Sequence, residues 1–220
     1  MPRPLLPRLI TFVQDHSEPL PVPLIPEIVT YQGKEFTQLW ETAVRELEGW
    51  DPSPFWAFPW CGGQALARYV LDHPEVVRGK RVFDFATGSG LVAIAAGRAG
   101  AASITAADLD PISEAAVHLN SQLNGTSIAF RGGDSIGDPL DGVELVLAGD
   151  IFYERRLAAD GMRWFRGLVD RNVQVLVGDP GRIYSTDDGL TDRAAYDVPT
   201  TTAIEQQPVR RTWVREVVKT

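Results

Sequence analysis

Apolar positions along the chain switch between two periods. Phe36, Leu39, Trp40, Ala43, Val44 and Leu47 recur at helical spacing and predict an amphipathic helix over residues 35–48. A second helix is expected from about Gly63, stopping before Pro74. From residue 81 short apolar runs alternate with helical segments. Val82 to Phe85, Ser103 to Ala107, Ile128 to Arg131, Val143 to Ala148 and Val173 to Val177 read as strands. Leu91 to Arg98 reads as an Ala-rich helix ending near Gly100. Asp110-Pro111 opens another helix, with Asp110 as N-cap and Pro111 at the first helical position, and Asn124-Gly125 closes it. Trp164, Phe165 and Leu168 mark a helix before the fifth strand. Ala194–Val198 and Arg211–Val218 suggest a terminal antiparallel pair.

Strands alternating with helices predict an α/β fold: a Rossmann-like, mostly parallel sheet with an antiparallel terminal strand and helices on both faces. Residues 1–30 differ in character. Pro2, Pro4, Pro7, Pro19, Pro21, Pro23 and Pro26 argue against a long helix there and predict an extended Pro-rich arm. Residues 31–220 then form one domain.

Composition narrows the function classes. No apolar stretch approaches the roughly 20 residues of a membrane span. Cys61 is the single cysteine, so an internal disulfide is impossible and a reducing compartment is expected. With only three histidines besides, a structural zinc site is not expected. The net charge of -8, without a basic run, disfavours a nucleic-acid partner. The first residues resemble neither a secretory signal nor a transit peptide. A cytoplasmic, monomeric protein is therefore expected.

The chemistry centres on Val82-Phe83-Asp84-Phe85-Ala86-Thr87-Gly88-Ser89-Gly90, a strand feeding a glycine turn that opens a helix. Ala86, Gly88 and Gly90 would let a ligand approach the main chain. Asp108, ending the next strand, suits the two hydroxyls of a ribose. A dinucleotide pyrophosphate and S-adenosylmethionine share this layout, and Gly88 to Ala93 satisfies the degenerate dinucleotide pattern. Asp84 decides between them: an acid on the first strand suits a donor bearing an ammonium group and is unhelpful beside a pyrophosphate. Asp134, after the third strand, is balanced between binding an adenine amino group and a turn role. Asp150, Phe152 and Tyr153, after the fourth strand, place a carboxylate and two aromatics where an amine would meet the donor. Trp60 lies in an aromatic segment, Phe55 to Trp60, followed by Gly62-Gly63. Taken alone, that segment reads as a hydrophobic plug. Cys61, with no histidine nearby in sequence, is not expected to be a nucleophile.

Pro54-Phe55-Trp56-Ala57-Phe58 with Trp60 and Gly62 to Leu66, the Asp84–Gly90 turn, Ala107 to Pro111, Asn120 with Asn124-Gly125, and Gly149-Asp150-Ile151-Phe152-Tyr153-Glu154 together resemble the seven-β-strand protein lysine methyltransferases of family 16. Val22 to Ile28 and Val177-Gly178-Asp179-Pro180-Gly181-Arg182 are similar to its electron transfer flavoprotein β-subunit branch, in a bacterial form. The resemblance runs from about residue 22 to the final strand. It implies that Trp60, Asp108 and Asp134 hold S-adenosylmethionine, and that Asp150, Phe152 and Tyr153 line a lysine channel. It also implies a protein substrate, the β subunit of electron transfer flavoprotein. A neutral lysine amine would attack the donor methyl in line, with Asp150 orienting the amine. From the residues alone, a small-molecule N- or O-methyltransferase, an NAD(P)-dependent oxidoreductase and a non-catalytic binding protein remain open.

Overall fold

The computed structural model describes residues 5–47, 53–200, 205 and 207–219. Pro2, Pro4 and Pro52 lie outside this set. The chain opens with helix α1, Leu5–His16, followed by an antiparallel ribbon of β1, Glu18–Val22, and β2, Ile25–Gln32. The expectation of an extended arm without a helix is therefore corrected. Pro7 sits in the first turn of α1, where a missing N–H loses no intrahelical bond. Leu9, Phe12 and Val13 then form a buried stripe, because i, i+3 and i+4 share one helix face. Pro19 and Pro21 fall in β1, the outer strand of a two-stranded ribbon.

Helix α2, Phe36–Glu46, agrees with the predicted amphipathic helix; Glu35 caps it by accepting from the main-chain N–H groups of Thr37 and Gln38. A short turn at Phe55–Ala57 leads to α3, Cys61–Asp72. The remaining elements follow in the order β3 Arg81–Phe85, α4 Leu91–Arg98, β4 Ser103–Asp108, α5 Pro111–Leu123, β5 Ala129–Gly132, β6 Leu145–Gly149, α6 Arg155–Asp170, β7 Gln174–Asp179, β8 Leu190–Pro199 and β9 Val209–Val217. The seven strands β3 to β9 form one sheet in the order β5-β4-β3-β6-β7-β9-β8. All neighbours from β5 to β7 are parallel, and β9 runs antiparallel to both β7 and β8.

Alternation along each central strand feeds two cores, because successive side chains point to opposite faces. Val82, Leu145, Leu147 and Leu176 pack with α3 and α4. Phe83, Val146, Ala148, Val175 and Val177 pack with Met162, Phe165 and Leu168 of α6 on the other face. The ribbon is tied in as well, since Val22, Ile25 and Ile28 are fully buried in the first of these cores. Asn120 in the last turn of α5 and Asn124 at its C-cap complete the attachment. Their side-chain oxygens accept the N–H groups of Tyr31 and Val29, and the Asn124 amide donates to the Val29 carbonyl. Two side-chain amides thus take the place of a neighbouring strand along β2.

The chain order reverses between β3 and β6: β3 leads outward to β4 and β5, whereas β6 returns to its other side. Such a reversal leaves a crevice at the carboxyl ends of the strands.

Candidate active site

A cavity of about 320 Å³ occupies that crevice. The glycine turn lines it with Asp84, Ala86, Thr87, Gly88 and Ser89; Asp108, Asp110 and Ser113 line the β4 side; Gly149, Asp150, Ile151 and Tyr153 line the β6 side. Phe55, Trp56, Phe58 and Trp60 form an aromatic wall. Trp60 packs against Phe36, Phe55 and Phe58, and Phe55 meets the Tyr153 ring at 5.4 Å. The Trp60 indole N–H donates to the Phe55 carbonyl at 2.9 Å, which fixes the ring in the wall.

Three helix starts converge on the cavity, each with an acid on its free N–H groups. Asp84 accepts from the Ala93 N–H of α4 at 3.1 Å and from the Thr87 hydroxyl. Asp150 accepts from the Gly63 N–H of α3 at 3.0 Å. Asp110 caps α5 through the Ile112 N–H at 2.9 Å. The first turn of a helix offers unpaired donors and a positive dipole end, so each carboxylate suits its place. Asp84 thereby fills the α4 start, where a dinucleotide would seat its pyrophosphate.

Burial sets the protonation of these acids. Asp84 is 1% exposed, and desolvation raises its pKa to about 7 against the opposing hydrogen bonds from Thr87 and Ala93. Desolvation likewise raises Asp110 to about 6 and pushes Asp108 upward. The two Asp108 oxygens accept from the main-chain N–H groups of Gly88, at 2.8 Å, and Asp110, at 3.0 Å. The Ser113 hydroxyl and the Leu109 N–H also bond this carboxylate, so hydroxyl donors of a ligand would compete with them for its lone pairs.

Asp150 sits in the left-handed backbone region, φ 55°, a conformation costing a non-glycine residue about 1 kcal/mol or more. Close packing holds it there. The α3 start presses on the ends of β6 and β7 through glycines: a Cβ on Gly62 would lie 2.2 Å from the Gly178 carbonyl oxygen and 2.6 Å from an Asp150 carboxylate oxygen. Gly62, with Gly149 and Gly178 on the facing strands, therefore lets the helix approach the sheet, and Gly63 lines the cavity.

The structure brings Trp60, Asp84, Ala86, Gly88, Asp108, Asp150 and Tyr153 to one cavity. Three sequence-derived candidates lie elsewhere. Phe152 is fully buried against α6 in the second core. Gly90 caps α4 and packs on Val117 of α5. Asp134 is exposed and accepts the Ile136 N–H at 2.9 Å in a local turn. Several lining residues, Ser113 and Arg182 among them, carry no role read from the sequence. Arg182 follows β7 and donates from Nε and Nη2 to one Asp150 oxygen at 3.1 and 2.8 Å. Its signal was Asp179-Pro180-Gly181-Arg182, a turn leaving the carboxyl end of a strand, where sites of this fold collect. Cys61 is buried, and burial next to Asp150 and Glu205 pushes its thiol up to about 12, which disfavours the thiolate form.

Residues 64–143 match the family described as ribosomal protein L11 methyltransferase (PrmA). The electron transfer flavoprotein beta subunit lysine methyltransferase of Xenopus laevis is 38% identical over 175 residues, 78% of this chain and 70% of the relative. This chain belongs to the electron transfer flavoprotein β-subunit lysine methyltransferase family. Its relatives of the same name from Danio rerio and Homo sapiens are 42% and 44% identical. Those alignments cover 63% and 59% of this chain, and only 55% and 50% of the relatives' own length. Two solved structures share the fold. The ribosomal protein L11 methylase of Lactobacillus delbrueckii superposes with a TM-score of 0.50, at 22% identity over 72% of this chain and 79% of that one. The magnesium protoporphyrin IX methyltransferase of Synechocystis, solved with bound S-adenosylmethionine, also gives 0.50, at 18% identity over 70% and 78% of the two chains. The family thus agrees with the resemblance carried by the aromatic segment and the Asp150–Tyr153 run.

Proposed function

We propose that this chain transfers a methyl group from S-adenosylmethionine to lysine side chains of the electron transfer flavoprotein β subunit, the protein named for its relatives. One observation carries the reading. A single cavity joins the glycine turn and Asp108 to Asp150, Tyr153 and the aromatic wall.

The residues fit the donor. Among the described residues Asp84 has no cationic partner; burial raises its pKa to about 7, and an ammonium group beside it would favour its charged form. Asp108 lines the cavity at the end of β4, where its carboxylate would take ribose hydroxyls in exchange for the Ser113 hydroxyl. Trp60 and Phe55 offer apolar faces for an adenosine and π electrons for a cation. When bound, S-adenosylmethionine supplies an electrophilic methyl on a sulfonium sulfur.

The chain's own groups would then serve the amine. Tyr153, half-exposed beside Phe55, gives the lysine stem an apolar wall. Enclosure by these rings strips water from the ammonium and lowers its pKa from the roughly 10.4 of free lysine, favouring the nucleophilic form. Asp150 orients the amine, and alignment supplies the larger share of the rate gain.

The test is incubation of the protein with labelled S-adenosylmethionine and purified electron transfer flavoprotein, followed by mass mapping. Labelled lysines on the β subunit, lost with Asp150→Ala, are expected. Label found only in small metabolites would overturn the substrate. Binding of NAD but not of S-adenosylhomocysteine would overturn the donor.

A further inference from the structure

Asp150 does not face the cavity as a free carboxylate. One oxygen takes the Gly63 N–H, and the other takes two N–H groups of Arg182. Arg182 is held in turn. Its Nη1 lies 2.8 Å from a Glu205 oxygen, and the second Glu205 oxygen accepts from Arg210 at 2.8 Å. Its main-chain N–H donates to Asp179 at 3.1 Å, and its guanidinium lies 5.7 Å from the Trp60 ring centre. The side chains of Asp150, Arg182 and Glu205 are 12%, 15% and 5% exposed.

The charges around Asp150 can be enumerated by element. α3 presents the neutral Cys61 thiol and the Gly63 N–H. The turn after β7 presents Arg182. β7 ends in Asp179, whose oxygens take the Arg182 N–H and the Ser185 hydroxyl. The β8–β9 connection presents Glu205, and β9 presents Arg210. Tyr153 and Asp108 lie across the cavity. Among the described residues Arg182 is the cation in direct contact with Asp150. Desolvation and Asp179 both push this carboxyl toward its neutral form, and Arg182 opposes them.

Resting on the methyltransferase reading, we propose that Arg182 is a positioning residue for methyl transfer: its two-point contact with one Asp150 oxygen holds that carboxylate charged and aimed at the substrate amine, while Glu205 holds Arg182 in place. An ion pair serving the fold alone has no need of the cavity, yet Arg182 lines it and stacks over one of its aromatic walls. The single-oxygen attachment also leaves the Asp150 geometry specified from two directions, by α3 and by the turn after β7.

The experiment measures kcat and KM for methyl transfer to the electron transfer flavoprotein β subunit between about pH 6 and pH 9 for wild type, Arg182→Ala, Arg182→Lys and Glu205→Gln. S-adenosylhomocysteine binding by calorimetry reports an intact donor site in each. For Arg182→Ala the ratio of variant to wild-type kcat rises several-fold or more with pH across this range, because a buried carboxyl without its cation ionises at higher pH. For Arg182→Lys and Glu205→Gln, which retain a cation beside Asp150, the ratio stays level with pH. Should Arg182→Ala fail to bind S-adenosylhomocysteine, Arg182→Gln replaces it, keeping a polar side chain with an N–H donor but without the charge. A pH-independent loss in the uncharged variant, or the same rising ratio in Arg182→Lys, overturns the proposal. Absence of methyl transfer by the wild type overturns the underlying reading instead, so the two failures are distinguishable.

Discussion

Replacing Asp84 by Asn isolates the cost of holding an acid in the donor cavity. The carboxyl is 1% exposed, and its pKa is raised from 3.8 to about 7, chiefly by desolvation. A raised carboxyl pKa stabilises the protonated folded state. That contribution is fully present below pH 3.8 and is lost as pH rises through about 7. The gap between the two values corresponds to about 4 kcal/mol, so the ligand-free wild type loses up to that much between acid and neutral pH. Asn keeps an oxygen for the Ala93 N–H and the Thr87 hydroxyl but does not titrate. The stability of Asp84→Asn relative to wild type should therefore improve by about 2–3 kcal/mol between pH 5 and pH 8. Urea unfolding at the two pH values measures this directly. Calorimetry of S-adenosylhomocysteine at pH 8 should show weakened binding in the same variant, because the ammonium partner is gone. A relative stability that is the same at both pH values would refute the reasoning, since it would mean that the folded protein does not hold Asp84 protonated.

Other consequences follow from the same geometry. Gly62→Ala drives a Cβ to within 2.2 Å of the Gly178 carbonyl, whereas a Cβ on Gly63 meets nothing nearer than Val92 at 4.0 Å. Gly62→Ala should lose about 3 kcal/mol or more in thermal unfolding, while Gly63→Ala should stay within about 1 kcal/mol of wild type. Asn120→Ala leaves the Tyr31 N–H and the Ser89 carbonyl without their partner and should cost about 2–4 kcal/mol by chemical denaturation. Asp108→Ala removes the acceptor proposed for the ribose and should weaken S-adenosylhomocysteine about tenfold or more by calorimetry, without loss of helical circular dichroism. Tyr153→Ala, at the mouth, should raise KM for the protein substrate with little change in donor affinity.

Local patterns carried much of this molecule. The helix of residues 91–98 and its stop near Gly100 were readable because a compact apolar run and a glycine act within a few residues. The start of α5 was readable for the same reason: Asp110 and Pro111 do their work on adjacent N–H groups. Asp84, Asp108 and Asp150 could be placed at the site because a parallel strand delivers whatever follows it to one sheet edge. The N-terminal segment was not readable in this way. Seven prolines outweighed a buried stripe of Leu9, Phe12 and Val13 that makes sense only against α5.

Side-chain direction at the site was decided by packing. Phe152 and Tyr153 are neighbours in sequence, but the turn after Asp150 sends one into the core under α6 and leaves the other at the mouth. Asp134 lies at the right strand end yet closes its own turn, because an Asx turn needs only the N–H two residues on. Arg182 meets Asp150 from 32 positions away, and Glu205 meets Arg182 from the β8–β9 connection. Spacing along a chain specifies helices, strands and the edge where a site forms. Which charges touch there depends on strand order and on how closely a helix can approach, and in this protein glycines at 62 and 178 settled that distance.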